Sequence, residues 1–344
     1  MRRQRREFRV TDVAVQSGLS RATVDRVLHG RPGVRPETVR MVERAIEELE
    51  RQRQQVQLSG RPFVVDLVMQ APERFSSESR RALEAELHAL RPALVRARSH
   101  LQEQPEPGAA ARILDAVARR GSDGVILKAP DHPEVTAAVA RLADAGVPTV
   151  TFVTDLPGSR RVAYAGADNR AAGATAAYLI ARWGGGGVLL TLSHSTFQGE
   201  TEREAGFRHT MAELAPDRAV HAVTDTDGLD ESLLGTVGEA LRRHPDVDAV
   251  YSIGGGNRAT LAAFEEQGRS PAVFVAHDLD ADNRRLLRTR RIAAVLHHDL
   301  RADCRRACRL LLQAGGVLPG SALTVPSQVQ VVTPFNEPAA LGDG

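Results

Sequence analysis

From residue 63 to residue 332 the chain repeats one pattern: a short apolar run, then a longer stretch with apolar residues at three- and four-residue spacing. The runs begin with FVVDLVM at 63–69, ALVRAR at 93–98, GVILKA at 124–129, PTVTFV at 148–153 and RVAYAG at 161–166. They continue with GVLLTL at 187–192, AVHAVT at 219–224, DAVYSI at 248–253, AVFVAH at 272–277, IAAVLH at 292–297 and QVQVV at 328–332. Strand–helix alternation repeated this often predicts parallel sheets with helices on both faces. Single cores stop growing near this length, so two sheets are expected in place of one. The predicted class is α/β, a three-helix head followed by a two-lobed parallel-sheet body.

The head is read from residues 10–28, VTDVAVQSGLSRATVDRVL, two short apolar-periodic runs broken at Ser17-Gly18-Leu19. Thr11 can cap a helix over 12–17, and Gly18 supplies a tight reversal that a Cβ would resist. Ser20 caps a second helix over 21–29, on which Val24, Val27 and Leu28 share a face. Val13, Ala14 and Leu19 supply the other side of a small core. The opposite face of the second helix shows Arg21, Ala22, Asp25 and Arg26. This is the pattern of a helix-turn-helix, whose second helix has the size to enter a major groove; a generic helical hairpin is the alternative. Pro36-Glu37-Thr38 opens a third helix, with Val39, Val42, Ile46 and Leu49 inward, running to about Arg53.

Charge supports a nucleic-acid partner for this end. Residues 1–62 hold fourteen arginines against eight Asp and Glu, a net of +6, whereas the whole chain is only +2. A basic head on an acidic body points to DNA, and the arginine-rich run at 2–6 adds non-specific phosphate attraction. Nearly all the positive charge is arginine, Lys128 being the single lysine.

The motif DVAxxxGLSxATVxRVL, followed by Gly30, Gly33-Val34 and Pro36-Glu37-Thr38, resembles the headpiece of the LacI/GalR family of bacterial transcriptional regulators. The resemblance implies that Arg21 and Ala22 face base edges and that Arg26 lies near a guanine, where a guanidinium pairs with O6 and N7 together. It places Thr11, Thr23 and His29 near phosphates. Asp25 stands where these regulators usually have serine, which shifts the expected operator preference. Relatives have a Tyr-x-Pro-Asn step and a hinge helix after the head; the linker here, 51–62, lacks that step. Leu58 is the residue placed to wedge into the minor groove, an ordinary linker leucine being the competing reading. The family also implies a homodimer on a near-palindromic operator.

The body resembles the type I periplasmic sugar-binding proteins that form the effector domain of the same family. The expected boundaries are a head over 1–50, a linker over 51–62 and an effector-binding domain over 63–344. Within that domain, lobe 1 covers about 63–158 and 298–320, and lobe 2 about 162–292 and 326–335. Chain crossings between lobes are expected near 155–166, 290–299 and 320–327. A ligand then sits between the lobes at the carboxyl ends of strands. Strand ends offer Gln70, Phe75, Lys128, Thr154, Asp155 and His194 as candidates. Arg203, in the segment Arg203-Glu204-Ala205-Gly206-Phe207, matches the family's Arg-x-x-Gly-aromatic element, whose arginine binds a ligand hydroxyl or carboxylate. Asp278 matches an aspartate that accepts sugar hydroxyls, and His298 falls where relatives have a glutamine. Gly254-Gly255-Gly256-Asn257 replaces a usual Ala-Asn-Asp step, leaving Asn257 to substitute from the next position. For these positions the bland alternatives are surface ion pairs and loop structure.

Other chemistry finds little support. Gly184 to Gly187 precede a strand, so they cannot cradle a pyrophosphate on a helix N-terminus. Cys304 and Cys308 share a helix face, which suits packing better than metal ligation. The Ser193-His194-Ser195 triplet lacks an orienting third group, and its neighbours point to opposite faces of a strand. No catalytic constellation, metal or cofactor is therefore expected. With neither an apolar signal core nor a stretch near the roughly twenty residues that span a bilayer, a cytoplasmic protein is expected. Its partners would be operator DNA and a small effector: a sugar, polyol or sugar phosphate. A solute-binding protein and an α/β enzyme acting on a sugar-like substrate remain the rival classes.

Overall fold

A computed structural model describes residues 8–91, 93–103, 108–193, 197–226 and 230–338. The chain divides into two compact units, the second of them starting at Val64.

The head is built from α1 (Val10–Ser17), α2 (Arg21–Leu28) and α3 (Pro36–Gly60). Gly18 closes α1 with φ +68°, and the Leu19 amide donates back to the Ala14 carbonyl at 3.2 Å. Ser20 caps α2 by accepting from the Thr23 amide at 3.2 Å. Val13, Ala14, Val24, Val27, Val42 and Ala45 form the buried centre, with Phe8, Leu19, Leu28, Ile46 and Leu49 packed against it.

Two expectations need correction here. Thr11 does not cap α1: the helix starts at Val10, Arg9 takes the cap position, and Thr11 lies inside the first turn. Val10 packs against the head core, which draws the helix back past the expected start. The third helix does not stop near Arg53 but continues to Gly60, through the stretch expected to be linker. Residues 50–58 hold Glu, Arg, Gln and Leu with a single Val and neither Gly nor Pro, so nothing breaks the helix. Pro62 then forces the preceding Arg61 into extended backbone at φ −150°.

The body carries two sheets. The first has the order β2-β1-β3-β4-β5, from β1 (Phe63–Gln70), β2 (Val95–Gln102), β3 (Gly124–Lys128), β4 (Thr149–Phe152) and β5 (Ala163–Ala165). With it go α4 (Glu73–Glu86), α5 (Ala109–Arg120), α6 (Pro133–Asp144) and the late helix α12 (Leu300–Ala314). The second sheet has the order β11-β10-β9-β8-β6-β7. Its strands are β6 (Gly187–Ser193), β7 (Val220–Thr226), β8 (Val247–Ser252), β9 (Val273–His277), β10 (Ala294–His297) and β11 (Gln330–Val332). Its helices are α7 (Asn169–Trp183), α8 (Gln198–Leu214), α9 (Asp230–Arg243), α10 (Asn257–Glu265) and α11 (Ala281–Arg288).

The strand expected to open the second lobe, near 161–166, instead pairs in parallel with β4 at the edge of the first sheet. The crossing thus follows β5, at Gly166 to Asp168. β10 belongs wholly to the second sheet, beside β9, so that lobe extends past 292 and the chain leaves it at His298, inside the expected crossing at 290–299. β11 runs antiparallel to β10, the one departure from parallel pairing among the described strands. The first and last crossings lie side by side: the Ser327 amide donates to the Gly166 carbonyl at 2.8 Å.

Candidate functional sites

On the head, α2 turns Val24 and Val27 into the core and leaves Arg21, Ala22, Arg26 and His29 exposed. Thr23 is half-buried and bonded to Ser20 Oγ at 2.8 Å. Asp25 is engaged within the chain: its carboxylate lies 3.0 Å from His29 Nδ1 and 3.5 Å from an Arg31 guanidinium nitrogen. A helix with one apolar face and an opposite face of two exposed arginines and a methyl group can offer donors to base edges and phosphates. Thr11 is half-buried on α1, and Leu58 lies in the last turns of α3 in place of a separate hinge helix.

In the body, the carboxyl ends of both sheets face one cavity of about 630 Å³. Gln70, Phe75, Lys128 and Thr154 line it from the first sheet and the segments that follow its strands, and Arg203, Asn257 and Asp278 from the second. These are seven of the ten positions singled out from the sequence. Asp155 does not reach the cavity, because Arg161, the Thr151 hydroxyl at 2.6 Å and the Leu156 amide at 2.8 Å take up its carboxylate. His298 does not line it either. It lies behind Asp278, with Nε2 3.8 Å from that carboxylate and Nδ1 2.5 Å from the fully buried Asp303. His194 lies outside the described residues.

The strand ends explain why these side chains converge. Lys128 ends β3, and its Nζ donates to the Gln70 carbonyl, at the end of β1, at 3.1 Å. Its ammonium also sits 3.8 Å from the centre of the Phe197 ring, a cation–π contact reaching across to the second lobe. Burial pushes this amine down to about 8, against the pull of Glu200 and Asp278 and with the push of Arg203. Arg203 is fixed by its Nε, which donates to Asn169 Oδ1 at 2.8 Å. The glycine three residues on, Gly206, has a reason of its own: a Cβ there would lie 2.1 Å from the Arg170 carbonyl oxygen. Gly173 on α7 is equally tight, 1.9 Å from the Arg203 carbonyl. The two helices thus touch backbone to backbone, and that contact sets where Arg203 points.

Asp278 adopts φ +64°, uncommon for a residue with a Cβ. The Asn283 amide side chain donates to its carbonyl at 2.7 Å and to that of His277 at 2.8 Å. Asn257 donates to Asn283 at 2.6 Å, while its own side-chain oxygen is buried with no partner among the described residues. Gly256 ends the Gly-rich turn at φ +68°, so this loop both makes a tight turn and lines the cavity.

Phe197, His277 and Asp280 line the cavity without having been read from the sequence, whereas Arg74 and Glu200 fall within its strand-end candidates. Arg74 on α4 bonds Asp280 across the lobes at 2.9 Å, a pair separated by 206 positions that spacing cannot bring together. Burial raises Asp280 to about 6, with the Asn283 amide and Arg74 opposing the rise. Phe197, Glu200 and His277 complete the wall. Glu200 accepts from the Ser193 amide at 2.9 Å and hydroxyl at 2.8 Å. His277 lies 2.6 Å from the Tyr251 hydroxyl, and burial drives its pKa well below the usual histidine value. Asp280 left one trace in the sequence: it caps α11 by accepting from the Asn283 amide, the Asp-x-x-Asn spacing of an N-cap. Cys304 and Cys308 are fully buried, and burial pushes Cys308 up to about 12.

Two α/β lobes with a polar cavity at the strand ends define a periplasmic-binding-protein body, and residues 68–316 match the periplasmic binding protein domain family. Residues 9–53 match the bacterial regulatory proteins of the lacI family. The chain belongs to the periplasmic binding protein domain family, with a lacI-family regulatory domain at its head. GanP, a glucose-galactose binding protein from Geobacillus stearothermophilus, is similar at 21% identity and TM-score 0.72, covering 81% of this chain and 100% of that one. A Bacteroides fragilis protein assigned as a LacI transcriptional regulator is similar at 14% identity and TM-score 0.70, over 80% and 98% of the two chains. An ABC transporter solute-binding protein from Burkholderia graminis C4D1M, in complex with D-arabinose, is similar at 18% identity and TM-score 0.70, over 80% and 96%. At these identities the likeness establishes the fold. No curated protein sequence matches the chain.

Proposed function

We propose that the protein is a transcriptional repressor that binds operator DNA through α2 and releases it when a small polyhydroxylated effector occupies the cavity of the body. The observation that carries this reading is the pairing, in one chain with a lacI-family head, of an exposed Arg21-Ala22-Arg26 face with a polar cavity at the strand ends. Sugars bound by proteins with the same body fold support the effector class. In this reading Arg26 and Arg21 contact bases, and Thr11, Thr23 and His29 contact phosphates. Asp25 modulates operator choice, and Leu58 serves the minor groove from the end of α3. Arg203, Asp278, Asn257, Lys128, Gln70, Thr154 and Phe75 hold the effector. The protein works as a homodimer in the cytoplasm, one recognition helix per half-site. The domain boundaries that go with this are a DNA-binding head joined through residues 51–62 to the effector domain.

A gel-shift assay with the chain's own upstream DNA tests the reading, since neither a solute-binding protein nor an α/β enzyme retards it. Arg26→Ala removes specific retardation and leaves effector affinity unchanged. Arg203→Ala does the reverse, leaving retardation intact and abolishing the response to effector. A wild-type chain that retards no segment of its upstream DNA overturns the proposal.

A further inference from the structure

Arg74, Lys128, Arg203 and Arg258 line the cavity together with Glu103, Glu134, Glu200, Asp278, Asp280 and Asp282. Two of the cations are in ion pairs, Arg74 with Asp280 at 2.9 Å and Arg258 with Asp282 at 3.6 Å, while Glu200 and Glu103 accept from the neutral Ser193 hydroxyl at 2.8 Å and Glu73 amide at 3.1 Å. Lys128 and Arg203 are the two lining cations that form no ion pair with a carboxylate among the described residues. The Lys128 side chain is only 9% exposed, yet among the described residues it donates a single hydrogen bond, to a neutral carbonyl, and no carboxylate pairs with it. The Phe197 ring face adds weak attraction and no formal charge. Arg203, 6% exposed, spends its Nε on the neutral Asn169 side chain and likewise pairs with no carboxylate among the described residues.

A buried ammonium with two N–H groups unspent is costly unless something brings it a charge. Burial lowers this lysine to about 8 although Glu200 and Asp278 pull it upward, so the nearby carboxylates do not offset the cost. On the other wall the Asp278 carboxylate and the orphaned Asn257 oxygen offer acceptors to hydroxyl donors. The chemistry that satisfies both walls is a polyol with one anionic group.

We propose that the effector is an acidic sugar derivative whose carboxylate or phosphate seats on Lys128 and Arg203 while its hydroxyls turn to Asp278 and Asn257. This rests on the cavity being the effector site, as proposed above. Charge-assisted hydrogen bonds from two cations to an oxyanion are the strongest polar contacts the site can make. They would select an aldonic acid, uronic acid or sugar phosphate over its neutral parent.

The test is isothermal titration of the full chain with D-gluconate, D-glucuronate, D-galacturonate and D-glucose 6-phosphate, with D-glucose and D-galactose as neutral counterparts. At least one acid should bind tenfold or more tighter than its neutral parent, and the carboxylate and phosphate arms then tell the two anions apart. Lys128→Met should cut the ratio of acid to neutral affinity at least tenfold, and Lys128→Arg should restore part of it. The comparison of acid with parent in the wild type stands even if Lys128→Met fails to fold. Neutral sugars that bind as tightly as the acids overturn the inference and leave the sugar-responsive regulator standing. A ratio that Lys128→Met leaves unchanged overturns it too. A chain that binds none of the six overturns the inference as well, while the gel-shift assay separately decides the regulator reading.

Discussion

Asp280 shows how much one position can hold. It caps α11, pairs with Arg74 of the other lobe, and is buried, which raises its pKa together with the nearby charges of Asp278 and Asp282. Its folded value of about 6 lies above the roughly 3.9 of an unfolded aspartate. A raised carboxyl is a destabilising one when ionised. The penalty is fully present above pH 6 and fades as pH falls toward 4, reaching about 2–3 kcal/mol at neutral pH. Asp280→Asn keeps a capping side chain and removes the titration. The variant should therefore gain stability over the wild type at pH 7 and lose that advantage by pH 4, as read by urea unfolding at each pH. An unchanged difference across that range would show that Asp280 is not the titrating group. Asp25 makes a related point, since a carboxylate already held by His29 and Arg31 offers its oxygens to a base only by giving up those contacts.

At the scale of elements, the period of the apolar residues was enough to place nearly every strand and helix. It could not say which strand pairs with which. Residues 163–165 are a short, fully buried run like many an interior strand, and only the register Val150↔Ala163 assigns them to the first sheet. The seven cavity residues were legible because a parallel α/β unit delivers its strand ends to one edge. Asp155 and His298 also follow strands, but Arg161 and Asp303 capture them first, and such captures depend on side-chain directions that spacing does not encode. Arg203 was legible through its motif, and the structure supplies the reason for the accompanying glycine. Gly206→Ala should drive α7 and α8 apart. An overpacked contact of this kind costs about 1–3 kcal/mol, and the displaced Arg203 should weaken effector binding as well. Chemical denaturation and titration of the same variant measure both. In the head, Ser20→Ala removes the α2 cap and should cost about 1 kcal/mol of local stability, visible as faster amide exchange in α2 and weaker retardation of DNA.

For the whole molecule, the proposed coupling has a thermodynamic signature independent of how the two units are arranged. If effector weakens operator binding by some factor, operator must weaken effector binding by the same factor, typically about 5- to 150-fold. Titrating effector into the chain with and without saturating operator, beside gel shifts with and without effector, gives both numbers. Unequal factors would mean that the two ligands are not linked through one equilibrium.

Lys128 is the single lysine of the sequence and lies on the cavity wall. An amine-directed reagent thus meets one side chain only, besides the amino terminus, so reductive methylation with a carbon-13 label installs a lone reporter beside the pocket. Its resonance would register occupancy in the intact regulator, without a dye or an added cysteine, and would do so whatever the occupant proves to be.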